Sequence, residues 1–461
     1  MLQVEQTNNS LPGKPRLADA AASENKGLPV HRWVPWIAGF SAPFVQDVIS
    51  AYLPKGLRKN ALVLDPFAGV GTTLVESLKL GLDCTGYEIN AYAALSARAK
   101  IECITVEPHD FQERIEAFRL ALAVSEEAID ALWTEENTVD LGKLVNQLQC
   151  YAPSQFKSRI PFFSQAVEAK CLSALKLIAN VPEPHQTLFR VAFGATMVSV
   201  SNYTYEPSLG SRPGAGKPLI DNVPVGPVFT AKLLQMLEDI RWARERFSPW
   251  LHTERAVHHG SYFDSELAPN SVSLVITSPP YLNNYHYVRN TRPQLYWLGL
   301  IANSRQLKEY EKASFGTFWQ TVRQGPQIEL GFDLPCLEDK LTELQAVNPD
   351  RGVYGGRGWA NYAATYFNDS WRLLEKLNGQ LKRGAYAVIV VGNSFIQGKE
   401  FAVDQLLAEM AVRHGLSVAG IEVVREKRVG NSIIRSSVRD EAASTLTQAK
   451  LYDAAVILRK S

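Results

Sequence analysis

Thr277-Ser278-Pro279-Pro280-Tyr281 follows an apolar run at residues 272–276 and combines two hydrogen-bond acceptors with a flat ring. An exocyclic amine on a nucleobase is a poor nucleophile because its lone pair is delocalised into the ring. Two acceptors placed to take its two hydrogens redirect that lone pair toward an incoming methyl group. The Ser278 side chain and the Pro279 backbone carbonyl are suitable acceptors. Consecutive prolines, Pro279 and Pro280, hold φ near about −65°, so the acceptors are set before a substrate arrives. Tyr281 offers a face on which an extruded base can stack, a contact worth about 1–3 kcal/mol per base in single-strand binders. Taken alone, Ser278 to Tyr281 reads more simply as a strand ended by prolines beside a buried tyrosine.

Far upstream stands a second motif, Leu64-Asp65-Pro66-Phe67-Ala68-Gly69-Val70-Gly71-Thr72-Thr73. Gly69 and Gly71 let the backbone turn sharply and approach a ligand closely, which a side chain at either position would hinder. A bare Gly-x-Gly also opens dinucleotide sites, but the third glycine of that fingerprint is missing, with Leu74 in its place. Glu88 closes the next strand-like run, where its carboxylate can accept both hydroxyls of a ribose. A tight turn would also explain the glycines, and a solvated strand end would explain Glu88.

These motifs need a frame. Residues 61–64 form a short apolar run, residues 72–80 have helix composition with Gly81 as a stop, residues 83–88 repeat the strand pattern and residues 91–103 are an alanine-rich helix. Such alternation predicts a parallel sheet covered by helices. Strand-like runs resume at 272–276, 385–391, 417–424 and 454–458, with a helix at 404–414. Between them, residues 105–254 carry helical patterns (111–123, 164–179, 230–247) and a Pro/Gly-rich loop at 207–218, and are expected to form an insertion outside the sheet. An irregular block spans about 302–358.

The chain has 461 residues and a formal net charge of +1, which argues against a general polyanion binder, so any nucleic-acid surface must be local. Five scattered cysteines lack the paired spacing of a disulfide framework or zinc site, and no metal is expected. A reducing cytoplasm fits this usage. Residues 1–28 are polar and are expected to be a loose soluble tail, and no uncharged apolar run is long enough for a membrane span.

The two motifs together resemble the amino-group DNA methyltransferases, which methylate cytosine N4 or adenine N6 with S-adenosylmethionine. His31 to Phe44, with Phe40-Ser41-Ala42-Pro43, is similar to the family motif that helps hold the methionine end of the donor. Val391-Gly392-Asn393-Ser394 is similar to a later core strand. The resemblance covers roughly residues 30–104 and 255–461. It implies an α/β, Rossmann-like class I methyltransferase with a mostly parallel seven-stranded sheet, made of segments 29–104 and 255–461, with 105–254 as an inserted helical domain for target recognition. It further implies that Phe40, Ser41, Asp65, Phe67, Gly69, Gly71, Thr72, Thr73 and Glu88 bind the donor, and that Ser278, Pro279, Pro280 and Tyr281 serve catalysis. Serine at the head of the proline motif is typical of cytosine-N4 enzymes, whereas adenine-N6 enzymes usually carry Asp or Asn there. An acidic residue commonly follows the third strand to bind the donor adenine. Here Ser261 stands at that place, and either it or Asp264 makes the contact. Defence by self-marking, with a cognate restriction endonuclease, is also implied.

An enzyme of this kind must flip its target base and needs cationic and aromatic surface around the pocket. Three segments qualify: Tyr285, His286, Tyr287, Arg289 and Arg292 after the proline motif; Tyr203 and Tyr205 with Arg212 and Lys217 on the insertion; and residues 425–439, where Arg425, Lys427, Arg428, Arg435 and Arg439 face only Glu426. A solvated face accounts equally for the last run. A carbon-5 cytosine methyltransferase would need Cys336 of Pro335-Cys336 as nucleophile, yet that pair sits in an acidic, loop-like context. A nicotinamide oxidoreductase leaves the proline motif unexplained. An RNA amine methyltransferase shares both motifs, and a non-catalytic DNA-binding protein could retain a decayed core.

Overall fold

The computed structural model describes residues 6–7, 13–36, 39–133, 147, 149–205, 208–282, 287–427 and 450–461. Its main sheet contains β1 (Gln6–Thr7), β2 (Leu62–Asp65), β3 (Asp83–Glu88), β4 (Arg255–His259), β5 (Val272–Thr277), β6 (Leu381–Gly392), β7 (Leu416–Lys427) and β8 (Leu451–Lys460). The order is β1-β7-β8-β6-β5-β2-β3-β4. Strands β6, β5, β2, β3 and β4 run parallel, while β8 lies antiparallel to both β6 and β7. With β1 only a two-residue edge, this is the mostly parallel seven-stranded, Rossmann-like sheet that was expected.

Strand side chains alternate between faces, and here both faces are buried. Leu274, Ile276, Val388 and Val390 join one hydrophobic cluster with the helices Ala42–Tyr52, Thr72–Lys79 and Ala91–Glu102. Val275, Ala387, Ile389 and Val391 join a second with the helices Gly356–Gln380 and Val403–Arg413. Such two-sided burial explains the continuous apolar runs of β5 and β6. From β2 the chain winds outward to β3 and β4, then returns to the other side of β2 as β5 and β6. The strand order therefore reverses between β2 and β5, where open α/β sheets form a crevice at the carboxyl ends of their strands.

Residues 105–254 contribute the helices Pro108–Leu132, Gln165–Ala179, His185–Thr196 and Val225–Arg246. Their residues Phe111, Phe118, Phe189 and Phe229 belong to the same buried cluster as Val63 and Leu274, so these helices share a core with the sheet. The stretch expected as a loop at 207–218 carries a hairpin, Tyr203–Tyr205 with Leu209–Ser211, and a short 3-10 turn, Pro213–Ala215.

Three expectations are corrected. Residues 13–28 are not a loose tail: Leu17 and Ala20 are buried, the Leu17 and Ala18 amides donate to Glu422 and Asp47 at 2.8 and 2.9 Å, and Ala21 bridges Phe40. The block at 302–358 holds helices at Ser304–Ala313, Trp319–Val322 and Pro335–Gln345. Cys336 thus lies at the start of a helix, and partial burial together with Glu409, 3.8 Å from its sulfur, holds the thiol above its ordinary range, the reverse of what a nucleophile needs. Among the described residues no helix is long and apolar enough to cross a membrane.

Candidate active site

Both motifs leave the carboxyl ends of neighbouring strands, β2 and β5. Asp65, which ends β2, is buried and accepts the Thr277 hydroxyl at 2.7 Å and the Phe67 amide at 3.0 Å. Burial pushes its carboxyl up to about 6 against the opposing pull of Thr73, Thr277 and the Phe67 amide. The chain then turns through Gly69 and Gly71, at φ of 50° and 86°. Gly71 begins the Thr72–Lys79 helix in the left-handed region, and a Cβ there would lie 3.0 Å from that of Ala97. Only glycine satisfies both the dihedral and the close approach of the next helix.

At the end of β3, Glu88 accepts the Gly69 amide at 2.9 Å through one oxygen and the Asn90 amide at 2.7 Å through the other. Asn90 in turn caps the Ala91–Glu102 helix. Burial, opposed by these amides and reinforced by the charge of Asp65, raises the Glu88 carboxyl to about 7. Phe40, Asp65, Phe67, Gly69, Thr72 and Glu88 line one cavity with about 1090 Å³ of empty space, part of it open to solvent. Ser278 and Pro280 of the proline motif line the same cavity, as does Ser261, whereas Asp264 is exposed and lies outside the lining. Of the two candidates for a contact after the third strand, Ser261 is therefore the one that faces the cavity.

The Ser278 hydroxyl donates to the Val390 carbonyl at 3.0 Å. Its hydrogen is committed to β6, so its oxygen lone pairs remain to accept hydrogens from elsewhere. Tyr281 is half-buried against the end of the same strand: a Cβ at Gly392 would stand 3.1 and 3.2 Å from its ring carbons. Neither Tyr281 nor Pro279 is among the residues lining the cavity.

Two residues given to the donor are otherwise engaged. Ser41 caps the Ala42–Tyr52 helix by accepting the Phe44 amide and donates to Asp19 O at 2.6 Å, and it does not line the cavity. Thr73 is fully buried behind the glycine loop, beside Asp65. Sequence reasoning missed Trp36, Phe315 and Phe318, which complete the cavity wall; Phe315 packs edge-on against Phe67 at 5.1 Å. It also missed Asp239 on the Val225–Arg246 helix. That carboxylate accepts the Val30 amide, two Arg32 nitrogens and the Trp33 indole at 2.6–3.1 Å, just upstream of Trp36. Val30 sits there at φ 68°, strained for a β-branched residue.

A second cavity, with about 1630 Å³ of empty space, shares Trp36, Gly39, Val70 and Thr72 with the first. His31 and Gln294 line it, each with a buried atom, Nδ1 and Oε1, that has no partner. Burial lowers the His31 ring to about 4, so it is neutral, and its Nε2 faces Glu76 at 2.6 Å, leaving Nδ1 an acceptor.

The nucleic-acid candidates divide. Arg289 and Arg425 are exposed. Arg292 packs over Phe156 and Tyr296 at 5.4 and 5.9 Å with its Nε buried, whereas Arg212 is half-exposed and its Nε donates to Pro218 O at 2.8 Å. Lys217 is half-exposed. Tyr285, Arg428 and Arg435 lie outside the described residues, as does the Tyr287 side chain.

A family model for N6/N4 methyltransferases, described as DNA methylase, matches residues 21–98, which hold the glycine loop and Glu88 but not the proline motif. Curated relatives extend the likeness. The chain is 23% identical to the type II methyltransferase M.BsoBI of Geobacillus stearothermophilus, with 88% of this chain and 82% of the relative covered. It is 22% identical to the type II methyltransferase M.AvaI of a Nostoc species, with 88% and 83% covered.

Proposed function

We propose that this DNA amino-methyltransferase of the N4/N6 family methylates the N4 amine of cytosine in a base turned out of the duplex, within restriction–modification or DNA marking. The observation that carries the reading is the meeting of the two motifs: Thr277 and Asp65 share a buried hydrogen bond, and residues of both motifs line one cavity.

S-adenosylmethionine is the family's methyl donor, and when bound it supplies an electrophilic methyl group on a sulfonium. The residues present suit it. Glu88 lines the first cavity and has lone pairs left for ribose hydroxyls, while the buried acceptors His31 Nδ1 and Gln294 Oε1 in the adjoining cavity suit the ammonium of an amino-acid end. Phe67, Gly69, Thr72 and Ser261 shape the space between.

Ser278 holds its own hydrogen on Val390 and so acts purely as acceptor toward the substrate amine. With the Pro279 carbonyl it would accept hydrogen bonds from the two amine hydrogens and so turn the nitrogen lone pair outward, one of the two leaving as a proton to solvent once the nitrogen is methylated. Tyr281, backed by Gly392, supports the base ring. No covalent bond to the enzyme is needed, so transfer is direct.

The preference for cytosine rests on Ser278, since its counterpart in adenine-N6 enzymes is usually Asp or Asn. Residues 105–254 serve as the target-reading part. In support, the Tyr205 hydroxyl donates to Asn290 O at 2.9 Å and the Leu209 amide to Asn290 Oδ1 at 3.1 Å, tying the inserted hairpin to the segment that follows the proline motif. Mass spectrometry of nucleosides from DNA treated with the enzyme and donor tests the whole reading. The expected product is N4-methylcytosine, N6-methyladenine overturns the choice of base alone, and an unmodified polymer overturns the activity.

A further inference from the structure

Beyond the cavity wall the chain builds a cationic notch. Phe318 lines the cavity, and Trp319 begins the next helix, Trp319–Val322. The Arg323 guanidinium carbon lies 4.3 Å from the Trp319 ring centre and 4.7 Å from that of Tyr354, while the two rings stand 5.7 Å apart at 60°. The guanidinium therefore sits in the corner between two aromatic walls, a favourable cation–π setting. Trp319 is backed in turn by Trp359, stacked at 4.8 Å and 18°.

The notch is rigid. Asn361 of the Gly356–Gln380 helix is 1% exposed and takes hold of the segment at three points: its amide nitrogen donates to Val322 O and Pro326 O, and its oxygen accepts the Ile328 amide. Gly358 leaves room for Arg323, because a Cβ there would lie 3.0 Å from that of the arginine and 2.1 Å from Val353 O.

Two donors of this notch are buried and unpaired. Arg323 Nε and Trp319 Nε1 are buried without a hydrogen-bond partner, and among the described residues no carboxylate pairs with Arg323. An arginine that is held in place by rings, lacks an acid and keeps a planar fork of donors matches a bidentate anionic or polar acceptor. Exposed Tyr354, flanked by exposed Arg351 and Arg357, extends the surface, with Asp350 as a neighbouring anion.

We propose that the Trp319–Arg323–Tyr354 notch is a preorganised DNA contact, in which the Arg323 fork takes a phosphate or a guanine edge of the duplex beside the flipped base. This rests on the DNA-methyltransferase reading above. The shared chemistry is a pair of acceptor oxygens or an oxygen–nitrogen pair within reach of one planar fork.

The test compares wild type with Arg323→Met, which keeps apolar bulk between the rings, and Arg323→Lys, which keeps the charge without the fork. The expected result is a rise in KM for duplex DNA of roughly 5- to 150-fold in Arg323→Met, as for one lost bidentate contact of about 1–3 kcal/mol, with donor affinity and melting temperature unchanged. A loss shared by all sequences, with the salt slope reduced by about one and restored in Arg323→Lys, assigns the contact to phosphate. A loss confined to the recognition sequence and not restored by lysine assigns it to a guanine. On wild-type protein, an arginine-selective dicarbonyl reagent followed by peptide mass spectrometry gives an independent reading, with Arg323 labelled in the free enzyme and protected in the DNA complex. An unchanged KM in Arg323→Met, or equal labelling with and without DNA, overturns the proposal. Wild type that neither binds nor methylates duplex DNA overturns the underlying reading instead.

Discussion

Thr277 donates its hydroxyl hydrogen to Asp65 across 2.7 Å, so the last residues of two neighbouring strands, 212 positions apart in sequence, share one buried bond. Each begins a motif. The bond therefore fixes the start of the glycine loop relative to the start of the proline corner, at the place where the strand order reverses. Methyl transfer depends on that relative placement, because a misplacement of about 1 Å can cost on the order of a hundredfold in rate.

Thr277→Val should remove this bond while keeping the side-chain shape. A buried acceptor left short of a donor costs about 1–3 kcal/mol, and here the acceptor belongs to a carboxyl already raised by burial. Denaturant unfolding should show that loss with an unchanged m-value, and turnover should fall with it, whereas Thr277→Ser should keep most of both. Valine behaving like wild type in both measurements would sink the link between the bond and the geometry.

The raised carboxyls of Glu88 and Asp65 set two opposed pH trends. Their folded pKa values, about 7 and about 6, exceed the ordinary values of 4.5 and 3.8. The folded state thus holds more protons than the unfolded chain between about pH 4 and 7, so these groups favour folding most at low pH and lose that contribution as pH rises through 6 and 7. Donor binding runs the other way, since Glu88 must be ionised to accept two hydroxyls. Calorimetry should find the donor held roughly tenfold more tightly at pH 8 than at pH 6, following the ionised fraction of a group near 7. The dependence should flatten in Glu88→Gln, and an equally steep profile in that variant would assign it to another group.

The two motifs were legible because each is contiguous and built from residues with special geometry, glycine and proline above all. β3 was found with its limits intact because the short Asp83 to Glu88 run carries its charges only at its two ends and is bounded by Gly81 and Asn90. β4 was not among the strand-like runs, since as the exposed edge of the sheet Arg-Ala-Val-His-His has a single buried residue and no apolar pattern. Ser41 had a second role open to it, because a serine before Ala-Pro is equally a helix cap, with proline in the first turn. Phe315 and Phe318 come from a segment without periodicity. Asp239 falls within the helical pattern at 230–247, and nothing local ties it to Val30, 209 residues away.

Tyr281→Ala should separate base support from donor binding. The ring rests on Gly392 and lies outside the cavity lined by the glycine loop and Glu88. Loss of a stacking partner worth about 1–3 kcal/mol should lower kcat/KM for DNA by roughly 5- to 150-fold while the donor dissociation constant stays within about twofold. Tyr281→Phe should retain most activity, because the ring and not the hydroxyl does the stacking. Equal losses in donor affinity and turnover would count against this role.

Asp239 offers the sharpest test of how residues 105–254 bear on the cavity proposed to hold the donor. Its carboxylate is 1% exposed on the side-chain scale and collects four donors from Val30, Arg32 and Trp33, holding Val30 at its strained φ. The chain runs from there to Trp36, Gly39 and Phe40 in the cavity wall, which Asp239 itself does not touch. Removing one partner of a buried pair costs about 3–5 kcal/mol, and because Arg32 keeps 26% of its side-chain exposure the lower end applies to Asp239→Ala. Once the anchor is gone, Val30 should relax out of the left-handed region and the wall should shift. Donor affinity should then drop several-fold in protein that is still folded, and Asp239→Asn, which keeps one acceptor, should fall between. If thermal shift and donor titration find Asp239→Ala less stable yet unaltered in donor binding, the strained turn serves only to dock the Val225–Arg246 helix.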